Sequence, residues 1–346
     1  MIEFLGRVGR RIRAGYLRAE EKPLLVVLVA AGATIAVALS LASYAGWPPV
    51  LRVVYGRHAW GWLLVCLAGE IVAYGGYVLT VRDIARVDEG PELDLPTSVT
   101  TVVAGFGVFT ATRGSGGFAV DYWALRQAGS SPKDATRRVL GLNFLEYVVL
   151  SIGALGASLL LFFGLDGHAG SGATLPSLIV VPIIAVGLWL TAPVRVGRLS
   201  RLRGNWLKRT FADWVAGAAR LRSLVTSPRE HGLGVLGNIF YWGGDMLCLW
   251  AAIQLVDGQI TVAKLVLAYS GGYVLTRRAL PAGGAGVVEI ALTLALAGLG
   301  MPISRALVAV IVYRLFNFWL PILPALAVMP AIRELRVRFG AAKNET

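Results

Sequence analysis

VAKLVLAYSGGYVL (262–275) is an apolar half-helix. It is followed by a break from Arg277 and Arg278 through Pro281-Ala282-Gly283-Gly284-Ala285-Gly286, and then by a second half-helix, VVEIALTLALAGL (287–299). The same arrangement stands earlier, where 99–112 is apolar, Arg113-Gly114-Ser115-Gly116-Gly117 interrupts it and 118–125 resumes. Each half is too short to cross a hydrocarbon core, which takes about 20 apolar residues. Both stretches therefore read as re-entrant hairpins. Unwound backbone at membrane depth is tolerated only where protein or water satisfies its N–H and C=O groups, so the two breaks point to a cavity and a polar passage.

The rest of the chain fits that reading. Of its 346 residues 56% are hydrophobic and 15% charged, the composition of an all-α integral membrane protein and not of a soluble one. Hydropathy predicts six full spans, at 24–44, 59–81, 139–165, 176–194, 233–256 and 306–329, which with the two hairpins make a single polytopic domain over 1–346. Its expected parts are a basic interfacial helix (1–23), a first repeat half (24–165), a basic cytoplasmic amphipathic segment (195–232), a second repeat half (233–329) and a cytoplasmic tail (330–346). The apolar run after the basic N-terminus is longer than the core of a signal peptide and reads as an uncleaved first helix. Trp47, Trp60 and Trp62, near the ends of the first two spans, read as interface anchors.

The formal net charge is +13, yet the basic residues lie between apolar runs with no aromatic-interleaved platform, so they fit anionic lipid and the positive-inside bias better than nucleic acid. Six basic residues precede the first span and nine lie from Arg195 to Arg229, whereas the outer connections hold only Arg52, Arg57 and Arg305. This bias places both termini in the cytoplasm. In 195–229, Trp206, Leu207, Phe211, Trp214 and Val215 recur at helical spacing opposite a basic face, the pattern of a segment lying on anionic lipid. Asp88, Glu89, Glu92 and Asp94 read as a solvated loop. Cys66 and Cys248 lie within apolar runs, and His58, His168 and His231 are scattered. No metal-ligand spacing, disulfide framework or cofactor motif is present in the sequence.

Three full spans separate the hairpins, so the first enters from the cytoplasm and the second from outside, the layout of an inverted repeat. Short matches agree with it: Gly116-Gly117 with Gly283-Gly284, Ala128-Gly129 with Ala297-Gly298, and 132–135 with 302–306. Asn143 and Glu146 fall near where Arg314 and Asn317 fall, each an i,i+3 polar pair on the span after a hairpin.

Glu70, Glu146, Asp245, Glu289 and Arg314 lie at predicted membrane depth, and Arg113, Arg277 and Arg278 border the breaks. A charge at a helix centre costs about 2.5–3.5 kcal/mol on insertion scales, so such residues face protein or water and pair with one another. Two roles are open to them. One is structural pairing, for example Glu289 with Arg314 holding the second hairpin to the last span; the other is lining a headgroup passage.

The run 281–289 (PAGGAGVVE), followed by Tyr313-Arg314-Leu315 and Phe318-Trp319-Leu320-Pro321, resembles the lysylphosphatidylglycerol synthase transmembrane region family. Gly114 to Arg126, with its Gly-Gly and the downstream Ala124-Leu125-Arg126, looks like that family's first motif, although Arg113-Gly114-Ser115 stands where a proline-containing turn is expected. The resemblance implies a prokaryotic inner-membrane protein similar to the flippase half of the multiple peptide resistance factor, handling aminoacylated phosphatidylglycerol or other lipids such as polyprenyl-phosphate sugars. The chain ends at Thr346 without a soluble aminoacyltransferase domain, so lysine transfer is not expected of it. The expectation is a lipid flippase or transporter. Arg113, Arg277, Arg278 and Arg314, with N–H groups near Gly116, Gly117, Gly283, Gly284 and Gly286, would bind a lipid phosphate. Glu289, Glu146, Glu70 and Asp245 would balance those charges, hold an amine or couple to protons. Expected partners are membrane lipids, chiefly anionic phospholipid or lipid phosphate, with a homo-oligomer or a separate lipid synthase also admitted. The alternatives are a membrane-embedded lipid or polyprenyl-phosphate glycan transferase and a non-transporting partner of a synthase.

Overall fold

In the computed structural model, residues 59–111, 116–170, 228–274 and 284–325 are described, together with scattered positions within 32–43, 172–189, 215–219 and 327–328. Every described element is helical, and no strand occurs among the described residues. The order is α1 (Ala59–Arg86), α2 (Leu95–Ala111), α3 (Gly116–Gln127), α4 (Pro132–Phe162), α5 (Pro228–Leu255), α6 (Val262–Ala268), α7 (Val287–Gly298) and α8 (Ile303–Arg314). Two helices continue in wider π turns, α6 over Tyr269–Val274 and α8 over Leu315–Trp319.

Three helices among the described residues are long and apolar enough to cross a membrane: α1, α4 and Ile303–Ala325, which is α8 with its extension. Helix α5 matches α1 in length at 28 residues, or about 42 Å, but Asn238 and Asp245 lower its hydropathy. Predicted spans and observed helices differ chiefly at polar ends. Helix α1 runs on past 81 to Arg86, where Arg82 Nε donates to Leu93 O at 3.0 Å. Helix α4 starts at Pro132, seven residues before the hydropathy boundary, because Ser131 caps it by accepting from Asp134 N at 3.1 Å and Pro132 suits a first turn. The spans expected at 24–44 and 176–194 lie outside the described residues except at scattered positions, as do 1–23, most of 195–232 and 330–346.

Packed helices flank both expected breaks, of which 112–115 and 275–283 lie outside the described residues. Helices α2 and α3 lie against each other, as do α7 and the π turn that extends α6, where a Cβ on Gly272 would sit 2.9 Å from Leu292 Cα. The base of the α2–α3 hairpin lies at the first turn of α4, since α3 ends at Gln127 and α4 starts at Pro132. The base of the α6–α7 hairpin lies beyond the last turn of α4, where the Asp166 carboxylate accepts from Ala263 N at 2.7 Å and its carbonyl accepts from Thr261 Oγ1 at 3.0 Å. The outer ends of the two helix pairs therefore lie at opposite ends of α4.

Their last turns share one stop. Gly129 and Gly300 take φ of +97° and +101°, and the next N–H in each case, from Ser130 or Met301, donates five residues back to Leu125 or Leu296. Only glycine adopts that backbone readily.

Helices α1 and α5 run antiparallel and touch backbone to backbone. A Cβ on Gly69 would lie 2.7 Å from Gly244 O and 2.9 Å from Cys248 N, while one on Gly237 would lie 2.6 Å from Gly76 O and 2.9 Å from Thr80 N. Gly76 and Gly244 return the same contacts to their partners. Close approach of this kind needs residues without side chains. Cys66 and Cys248 are free, fully buried and part of this seam, with Cys66 Sγ donating to Cys248 O at 3.5 Å. One apolar core forms around α5–α8, and a second joins α1 and α4 to the α2–α3 hairpin.

Candidate functional site

The inward stripe of α5 carries Asn238, Trp242 and Asp245 at i, i+4 and i+7, all buried. From Asp245 a continuous chain of buried polar groups crosses the bundle. Asn317 Nδ2 donates to Asp245 Oδ1 at 2.7 Å, and Arg314 Nη1 reaches Asn317 Oδ1 at 3.4 Å. Arg314 Nε donates to Glu289 Oε1 at 3.0 Å, and the other oxygen of Glu289 accepts from Gly286 N at 2.6 Å. At the opposite end Tyr269 OH bonds Asp245 Oδ2. Glu289, Arg314 and Asp245 are each 1% exposed, and Tyr269 is fully buried.

Helix geometry delivers each group. Glu289 sits three residues after Gly286, so its carboxylate folds back onto the free N–H at the start of α7. Gly286 holds φ +86°, a conformation that a side chain would disfavour. Arg314 is the last residue before the π turn of α8, which contains Asn317, and Tyr269 opens the π turn of α6. Such turns shift the register of the side chains that follow, and they recur at functional sites. The Arg314 guanidinium also lies 4.3 Å from the centre of the Phe318 ring, a cation–π contact.

The other predicted acids border this chain. Glu70 is buried on α1, one residue from the Gly69–Gly244 contact. Glu146 is fully buried on α4, and its carbonyl accepts from Trp242 Nε1 at 2.8 Å. Trp242 in turn stands edge-on to Tyr269. On the α2–α3 side, Tyr77 OH donates to the buried Asp121 at 3.3 Å. Gly116 and Gly117 open α3, and Gly284 has φ +70°. Arg113, Arg277, Arg278 and Gly283 lie outside the described residues.

Sequence reasoning therefore named the Glu289–Arg314 pair and Asp245, and it noted Asn317 only as the i+3 companion of Arg314. It missed Tyr269, Trp242, Asp121 and Asn238. Asp121 and Asn238 are polar residues within apolar surroundings, the signal that marked the other acids.

Helices able to cross a membrane, packed around a buried ionic centre where α5, α7 and α8 meet, define a polytopic helical membrane protein. The profile of the lysylphosphatidylglycerol synthase TM region matches residues 24–325, and the chain belongs to that family. Membership connects it with membrane lipids. A search of curated proteins finds no match.

Proposed function

We propose that the protein is a lipid flippase or transporter that passes a phosphate-bearing headgroup, aminoacylated or isoprenoid-linked among the candidates, across the cytoplasmic membrane of a prokaryote. The observation that carries this reading is the buried chain Gly286–Glu289–Arg314–Asn317–Asp245–Tyr269, which ties the α6–α7 hairpin to α8 and α5. Ion pairs at such depth are costly and mark substrate or ion pathways.

In this scheme Arg314 exchanges Glu289 for a lipid phosphate, which like a carboxylate offers anionic oxygens to the guanidinium fork. Glu289 keeps its bond to Gly286 N while the guanidinium is engaged elsewhere. Arg113, Arg277 and Arg278 add charge along the passage. Glu70, Glu146 and Asp245 balance these cations when no lipid is present, or bind protons or a headgroup amine. Acyl chains stay in the bilayer, and both termini face the cytoplasm.

Alternating access through an inverted repeat follows from the same reading. Three observations support it: the outer ends of the two helix pairs lie at opposite ends of α4, α3 and α7 end in the same glycine stop, and the α1–α5 seam is reciprocal. Gly69 and Gly76 stand 168 residues before Gly237 and Gly244, and each contacts the other pair through a glycine and the residue four beyond it, as two-fold related surfaces do.

Reconstitution tests the proposal. In proteoliposomes Arg314→Ala and Glu289→Gln should each lower the translocation of fluorescent anionic phospholipid by about tenfold or more relative to wild type. Wild-type rates in both variants would remove the assigned roles.

A further inference from the structure

Asn238 is fully buried, yet neither its Oδ1 nor its Nδ2 has a hydrogen-bond partner among the described residues. One turn along the same face, Trp242 donates to the Glu146 carbonyl, and two turns along, Asp245 accepts from Asn317 and Tyr269. The orphaned amide thus extends the polar stripe of α5 towards the α2–α3 side of the bundle, at the level of Tyr77, since Gly237 faces Gly76. Burying an amide without partners is unfavourable, and an apolar residue of similar size would remove that cost.

The chemistry of the amide limits what completes it. Nδ2 donates and Oδ1 accepts, so a bare phosphate oxygen satisfies only one end and an ammonium group only the other. A hydroxyl group satisfies both. We propose that Asn238 recognises a hydroxyl of the lipid headgroup, so that the passage selects polyol headgroups, such as glycerol or sugar, over phosphodiesters that lack one. The inference rests on the lipid-transport reading for the identity of the ligand. A site built to bond a hydroxyl rejects the analogue without it, because its own polar groups are then left unpaired.

The probes are phosphatidylglycerol and phosphatidylmethanol, which carry the same charge and differ in headgroup hydroxyls. The purified full chain in detergent should bind phosphatidylglycerol about tenfold more tightly or better, read by native mass spectrometry and thermal shift. Asn238→Leu should abolish this preference while the melting temperature without added lipid stays level or rises. Asn238→Ser, whose smaller side chain still donates and accepts, should retain part of the preference and serves if the leucine variant does not fold. Equal binding of the two lipids by wild type, or an undiminished preference in Asn238→Leu, overturns the assignment and leaves water as the amide's partner. Translocation assays on the same samples separate the two readings. Preference without translocation removes transport and keeps the site, whereas translocation without preference removes the site alone.

Discussion

The Glu289–Arg314 pair is a buried ion pair whose value depends on completeness. Losing one partner leaves an uncompensated charge, which costs about 3–5 kcal/mol, whereas replacing both by apolar groups of similar volume is often neutral. Arg314→Met should therefore destabilise the protein in detergent far more than the Glu289→Met/Arg314→Met double substitution does. A double variant that loses as much as the two single ones added together in a denaturation series would show that the two side chains act independently. Arg314→Lys should also fall short of wild type, because an ammonium lacks the planar fork that reaches Glu289 and Asn317 together. At this scale the acids and Arg314 were legible, since a charge in an apolar run demands a partner. Tyr269 was not, because its apolar ring conceals a polar tip, and the π turns at 269 and 315 break the 3.6-residue period from which a helix face is read.

Among the elements, the α1–α5 seam is the most sharply defined contact. A methyl on Gly76 would lie 2.6 Å from Tyr241 N, a backbone atom that cannot swing aside, while one on Gly75 meets nothing within 4 Å. Gly76→Ala should cost about 1–3 kcal/mol, and Gly75→Ala should be neutral or slightly stabilising, since alanine favours helix. Thermal unfolding of the two variants in one detergent makes the comparison, and matching melting temperatures would contradict the seam. Its partners stand far apart in the sequence and bear no side chain, so no hydropathy pattern could pair them. The helix ends that flank 112–115 and 275–283 were legible because glycine clusters and proline interrupt apolar runs. The early starts of α4 and α5 were not, because their first turns are polar and hydropathy sees only the part that would lie in lipid.

For the molecule as a whole, the two hairpin bases sit at opposite ends of α4. If α4 crosses the bilayer as proposed, Lys133 and His168, beside its two ends, face different compartments. With Cys66 and Cys248 replaced by alanine, an impermeant maleimide should label His168→Cys on intact cells and Lys133→Cys only after permeabilisation. Labelling of both from one side would defeat the arrangement. The helical membrane architecture was legible in outline from the apolar spans, whereas the polar chain at its centre exists only once α5, α7 and α8 have met.

That dependence bears on biogenesis. Helix α1 carries Glu70 into the bilayer, but the groove that shelters its glycine face is completed by residues synthesised 168 positions later. At about 5–20 residues per second, the nascent chain spends roughly 8–34 s with that flank uncovered. During this interval α1 depends on insertase, chaperone or lipid for cover, and a ribosome stalled before Gly237 would leave a helix fit for degradation rather than assembly.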